Sequence, residues 1–101
     1  MRTNASDVAE FYQQLALLIR SNLPLPAALR QLGNTAAQHK LRQSILDVAR
    51  LSEGGERLSA LLRQRPDLFH PFHVRLIAAG EASDTLPEVL FSVARLSRFS
   101  D

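Results

Sequence analysis

Apolar residues recur along most of this chain at intervals of three and four, the spacing that places them on one face of an α-helix. Val8, Phe11, Leu15, Leu18 and Ile19 form the first stripe and predict a helix over 7–21. Asp7 and Glu10 stand at capping-box spacing at its start, with Ser6 as a second candidate cap. Ser21-Asn22-Leu23-Pro24 ends it. Asn is the residue after glycine best suited to a left-handed helix stop, and Pro24 cannot continue a helix. A short second helix is expected over 26–32, opened by Pro26, with Ala28, Leu29 and Leu32 inward and Gly33 as its stop. Asn34 or Thr35 then caps a third helix. Its inner face is Leu41, Ile45, Val48 and Leu51 or Ser52, its solvent face Lys40, Arg42, Asp47 and Arg50, and Gly54-Gly55 ends it.

A fourth helix is expected over 56–64, with Leu58, Leu61 and Leu62 inward and Arg65-Pro66-Asp67 closing it. Leu68 and Phe69 are placed to plug the core from a loop. Pro71 opens a fifth helix carrying Phe72, Leu76 and Ile77 inward. The last runs over 85–99 through Leu86, Val89, Leu90, Val93 and Leu96, with Thr85 and Glu88 at capping-box spacing. No stretch alternates with period two. The expected fold is all-α: a six-helix bundle whose tight connections favour antiparallel neighbours, over 7–99 behind a disordered tail at 1–6. A shift of 61 residues superposes Phe11 on Phe72, Leu15 on Leu76, Leu25 on Leu86, Pro26 on Pro87 and Leu29 on Leu90. This predicts two similar helix hairpins, the first two helices and the last two, too divergent for a repeat array.

Composition narrows the classes. A chain of 101 residues, 46% hydrophobic and without tryptophan, is one small domain with a core of Leu, Ala, Ile and Val. The net charge of +2, carried almost wholly by Arg, does not demand a nucleic acid but suits an acidic partner. There is no cysteine, which excludes disulfides and thiolate metal sites. The longest apolar run, Leu15 to Ile19, falls far short of the about 20 residues that span a bilayer, and MRTNASD lacks a signal-peptide core.

Chemistry is sparse. His70 and His73 are three apart but separated by Pro71, so they read as surface or loop-packing histidines rather than a metal pair. No phosphate loop, nucleophile elbow or carboxylate pair is present, and no catalytic residue, cofactor or metal is expected. A helix-turn-helix over 7–32, the alternative reading as a small nucleic-acid-binding domain, would present Ala27, Ala28, Arg30 and Gln31 to base edges, with one Arg among them. Arg57, Arg63 and Arg65 form a modest basic cluster, a candidate partner surface with acidic lipid headgroups as another ligand. Glu81, beside Gly80 near a helix end, sits where the macrodipole disfavours a negative charge. It needs a compensating donor, either the backbone N–H groups at Asp84 to Leu86 or a basic side chain such as Arg75. Glu81 is therefore expected to clamp a helix joint, with partner contact as its second role.

Several segments then form an ordered set. Phe11-Tyr12-Gln13-Gln14-Leu15-Ala16-Leu17-Leu18, followed by Ser21-Asn22-Leu23-Pro24-Leu25 and Ala28-Leu29, resembles the opening F-x-x-x-L-A-x-L-L-x-x-G-h-P-L-x-x-A-L (h apolar) of type II secretion system F domains, the GspF/PilC family. Glu53 to Ser59 with Leu62 is similar to that family's x-G-x-x-L-S-x-A-L, apart from one extra residue. Pro66-Asp67-Leu68-Phe69-His70 parallels P-x-x-F-P, and Leu76 to Leu86 with Leu90 parallels h-h-x-x-G-E-x-S-G-x-L-x-x-x-L. The resemblance covers about 8–97. It marks Pro24, Leu25, Gly54, Gly80, Glu81, Ser83 and Leu86 as motif residues at structural joints. Two family glycines are replaced, by Asn22 and Asp84, the residue types that best substitute for glycine where the backbone turns left-handed.

The resemblance implies a six-helix, non-enzymatic domain on the cytoplasmic face of the bacterial inner membrane. It would belong to a platform protein that engages the assembly ATPase of a type II secretion or type IV pilus system. Other platform proteins are implied partners, and a homodimer is compatible with it. Family members usually carry two such domains and several membrane spans, which implies that this chain is a fragment or a reduced homologue.

Overall fold

A computed structural model describes residues 5–99, and among them six α-helices and no strand: α1 Ala5–Arg20, α2 Leu25–Thr35, α3 His39–Ser52, α4 Leu58–Arg63, α5 Pro71–Ser83 and α6 Leu86–Arg98. Each helix packs on the next, and α6 returns onto α1, so the principal contacts close a ring. The α1–α6 and α2–α3 pairings are the most extensive. α1 and α6 run antiparallel: the Ser97 hydroxyl donates to the Ala5 carbonyl at 3.1 Å, and the Arg20 guanidinium lies 4.6 Å from the centre of the Phe91 ring. The core is largely aliphatic, with Leu15, Leu29, Ile45, Val48, Leu58, Leu61, Leu62, Ile77 and Leu90 out of solvent. Phe69, from the loop before α5, plugs it beside Phe11 and Tyr12, with ring centres 5.6 and 6.1 Å away.

The two replaced glycines carry the only positive φ angles among the described non-glycine residues, 68° at Asn22 and 59° at Asp84. At both, the chain folds back with the same closure. Leu23 N–H donates to Leu18 C=O at 3.1 Å, and Thr85 N–H to Gly80 C=O at 2.8 Å, the six-to-one bond of a Schellman stop. Left-handed backbone costs an L-residue about 1 kcal/mol or more, less for Asn and Asp. Asn22→Gly and Asp84→Gly should therefore each raise stability by up to about 1 kcal/mol, whereas Ala at either position should lower it by a similar amount. Urea denaturation reads both signs, and a stabilising Ala would contradict the left-handed assignment.

Several boundaries differ from the sequence pattern. α1 already includes Ala5 and Ser6, which puts Asp7 inside its first turn instead of at the cap; residues 1–4 of the expected tail lie outside the described residues. α2 continues through Gly33 to Thr35, and α3 starts at His39, capped by the Gln38 side chain accepting from Leu41 N–H at 2.8 Å. Gly33 is there for packing: a Cβ on it would lie 2.5 Å from Leu46 Cδ2. Thr85 makes no side-chain cap to α6; its hydroxyl meets the Ser83 hydroxyl at 2.7 Å.

The hairpin echo holds only in part. α1 packs far more on α6 than on α2. α5 buries His73, Val74, Ile77 and Gly80, whereas Phe72 is 46% exposed, and Leu96 on α6 is 41% exposed. Asn22 precedes the start of α2 by three residues, but Asp84 precedes the start of α6 by only two. The helix before the second turn is thereby rotated by one residue, and His73 takes the inward place that matches Phe11.

His73 lies edge-on to Tyr12, ring centres 6.0 Å apart, and 5.2 Å from the His70 ring. Burial first, and the neighbouring His70 second, push its imidazole below the ordinary histidine value. A lowered folded-state value means that the unfolded chain binds the extra proton more readily. Stability is then complete above about pH 6.5 and declines as pH falls through that value toward the folded-state one. Tm measured from pH 7.5 down to 5 should fall, and less so in His73→Phe. Asp67, held below the usual carboxylate range by its hydrogen bond to Lys40, acts in a separate window, at and below about pH 4.

The Tyr12 hydroxyl is fully buried and has no hydrogen-bond partner among the described residues. A buried hydroxyl without a partner costs about 1–3 kcal/mol relative to water. Tyr12→Phe keeps the ring contacts and should stabilise the fold by about 1 kcal/mol; a loss of stability in urea denaturation would show that the hydroxyl is satisfied.

Candidate functional site

α4 is a six-residue helix opened by Arg57, a donor-only side chain that cannot accept from the helix's free N–H groups. The acceptor comes from α5. Glu81 Oε2 accepts from the Ser59 backbone N–H at 3.0 Å, and Glu81 Oε1 from the Ser59 hydroxyl at 2.5 Å. One carboxylate therefore holds both donors of the second residue of α4 from across the α4–α5 contact. The joint that Glu81 clamps is thus α4 to α5. The amides at Asp84 to Leu86 and the Arg75 guanidinium, expected as its donors, are not its partners. The turn into α6 closes without Glu81, through Asp84 and Thr85 N–H groups donating to Gly80 C=O and the Ser83–Thr85 hydroxyl contact. A negative charge is unfavourable in the last turn of α5 but favourable at the start of α4, so the second helix compensates the first.

The other motif residues surround this tie. Gly80 is buried against α6, and a Cβ on it would sit 2.8 Å from Val89 Cγ2 and 2.9 Å from Val89 Cβ. Leu86 opens α6 beside it. The Ser83 hydroxyl donates back to Ala79 C=O at 2.9 Å. Pro24 is the residue before α2, and Leu25 starts it. In the α3–α4 loop the backbone demands glycine at Gly55, with φ 91°, and not at Gly54. Counted from Gly55, the spacing Gly55-Glu56-Arg57-Leu58-Ser59 is G-x-x-L-S with no extra residue.

The three arginines set aside as a partner surface do not act alike. Arg65 is mostly buried; it donates to Leu61 C=O at 3.2 Å and lies 3.7 Å from Asp47. Arg57 is exposed at the start of α4. Arg63 lines a cleft of about 290 Å³ with Pro66, Phe69, Pro71, Val74 and Arg75. Two of the four positions of the helix-turn-helix reading are not free: Ala28 is fully buried, and Arg30 is ion-paired with Glu53 at 2.6 Å. His70 Nδ1 accepts from Phe72 N–H at 3.0 Å as the cap of α5, while His73 is buried. No group of three or more His, Asp or Glu among the described residues is placed to hold a metal ion. No helix among them is long and apolar enough to cross a membrane.

Ser59 was not singled out as a partner of Glu81 by the sequence pattern. The available signal was local: a short helix led by an arginine has no acceptor of its own.

The family model described as type II secretion system (T2SS), protein F, matches residues 11–100. Among curated proteins, the chain is 33% identical over 87 residues to type II secretion system protein F of Xanthomonas campestris pv. campestris, covering 86% of this chain and 22% of that protein. It is 32% identical over 91 residues to the protein of the same name from Pseudomonas aeruginosa, covering 90% of this chain and 22% of the relative. It is 27% identical over 88 residues to type IV pilus assembly protein PilC of Pseudomonas aeruginosa, covering 87% of this chain and 24% of the relative. The chain thus spans less than a quarter of the length of these relatives. With the family match running from the α1 aromatics to the end of α6, and the motif residues of the α4–α5 tie in place, the chain belongs to the type II secretion system protein F family.

Proposed function

We propose that the domain is a non-enzymatic interaction module of an inner-membrane platform protein. It acts on the cytoplasmic side of a type II secretion or type IV pilus machine, where it engages the assembly ATPase and other platform components. The observation that carries this reading is the family match over 11–100, shared with relatives named for both kinds of machine. The disposition of the polar residues supports it. The hallmark carboxylate is committed to Ser59 and the left-handed turns to helix reversal, so the motif builds a scaffold and leaves the helix exteriors for partners. Co-purification of the tagged domain from cells with an intact secretion or pilus system should recover the assembly ATPase. Recovery of neither the ATPase nor any platform protein would contradict the reading.

A further inference from the structure

Four exposed basic side chains of this domain are tied to polar neighbours. Arg30 is paired with Glu53, Lys40 with Asp67, Arg50 with Asp47, and Arg98 donates to the Gln13 side-chain oxygen at 2.7 Å. Arg42, Arg57, Arg63, Arg75 and Arg95 are exposed with no carboxylate partner among the described residues, and of these Arg63 and Arg75 line the α4–α5 cleft together. Its floor is apolar, formed by the buried side chains of Phe69 and Val74, and Pro66 and Pro71 supply rigid walls. Arg75 also stands 5.9 Å from the centre of the exposed Phe72 ring, a contact that leaves its guanidinium donors free. The cleft, about 290 Å³, lies at the small end of ligand-site volumes and has room for one or two side chains.

Two unpaired guanidinium groups beside a small apolar concavity are complementary to an apolar side chain flanked by carboxylates. Each guanidinium can take a carboxylate through paired N–H donors, while the floor takes the apolar group. A bilayer surface would need a broad, exposed basic face instead of a recess walled by prolines. We infer that the cleft between α4 and α5 is a docking site for an acidic peptide segment of a partner protein, with a leucine-like or aromatic side chain seated on Phe69 and Val74 and carboxylates on Arg63 and Arg75. The inference rests on the interaction-module reading and names the face by which that module holds a partner.

Fluorescence anisotropy with a labelled peptide of alternating glutamate and leucine tests it, against the same peptide with lysine for glutamate. The domain should bind the acidic peptide and not the basic one, more weakly as salt rises. The Arg63→Glu/Arg75→Glu pair should weaken binding by about tenfold or more, and the Arg42→Glu/Arg95→Glu pair should not. If the first pair fails to fold by circular dichroism, Arg63→Gln/Arg75→Gln makes the same comparison. Absence of peptide binding, binding unchanged in the cleft variant, or binding to phosphatidylglycerol vesicles but not to peptide would each overturn the proposal. Retention of the assembly ATPase separates the two levels. A wild-type domain that retains none contradicts the module reading, whereas retention undiminished by the cleft pair contradicts only the cleft.

Discussion

Glu81→Ala should lower the stability of the domain by about 2–3 kcal/mol, with Tm falling by roughly 10–20 °C. The substitution deletes two hydrogen bonds to a charged acceptor and strands the Ser59 amide and hydroxyl at a part-buried helix start. Glu81→Gln keeps an acceptor of the same shape without the charge, and should cost roughly half as much, since charge-assisted bonds are about twice as strong as neutral ones. Thermal unfolding of the two variants ranks them. The effect is also local: amide exchange should speed first at the start of α4, the helix that depends on Glu81 for its cap.

Gly80→Ala is the second large effect, and its direction runs against helix propensity. Alanine in a helix interior is favoured over glycine by about 1 kcal/mol. Here the added methyl would sit under 3 Å from both Cβ and Cγ2 of Val89, a β-branched side chain with little freedom at χ1, and near the backbone of Leu86. Overpacking of this kind costs about 1–3 kcal/mol, so a net loss of about 1–2 kcal/mol is expected in urea denaturation. Gly80→Ala with Val89→Ala should recover part of it. The same change at Gly33 should cost less, because its nearest neighbours belong to the half-exposed Leu46 side chain, which can swing away.

What could be read from the sequence, and what could not, follows from the range of each interaction. The six helices and most core positions were legible because helical periodicity is local. Asn22 and Asp84 were legible because a left-handed stop restricts the residue type wherever it occurs, and both angles are positive. Gly33 misled because a glycine chosen for close packing has the same letter as one that ends a helix. Phe72 misled for a different reason: hydrophobicity favours it over its neighbour, yet the shorter turn after α5 rotates His73 inward instead. The partner of Glu81 lies 22 residues away on another helix. Electrostatics demanded a donor for that carboxylate, but only the packing of α4 on α5 decides which one.

The claim that the hallmark carboxylate is a structural tie and not a catalytic group is tested most directly by a double-mutant cycle between Glu81→Ala and Ser59→Ala, read by urea denaturation. Residues in direct contact are expected to couple, here by about 1 kcal/mol or more, so that the double variant loses less stability than the two single losses combined. Additive losses would contradict the account and release Glu81 for another role.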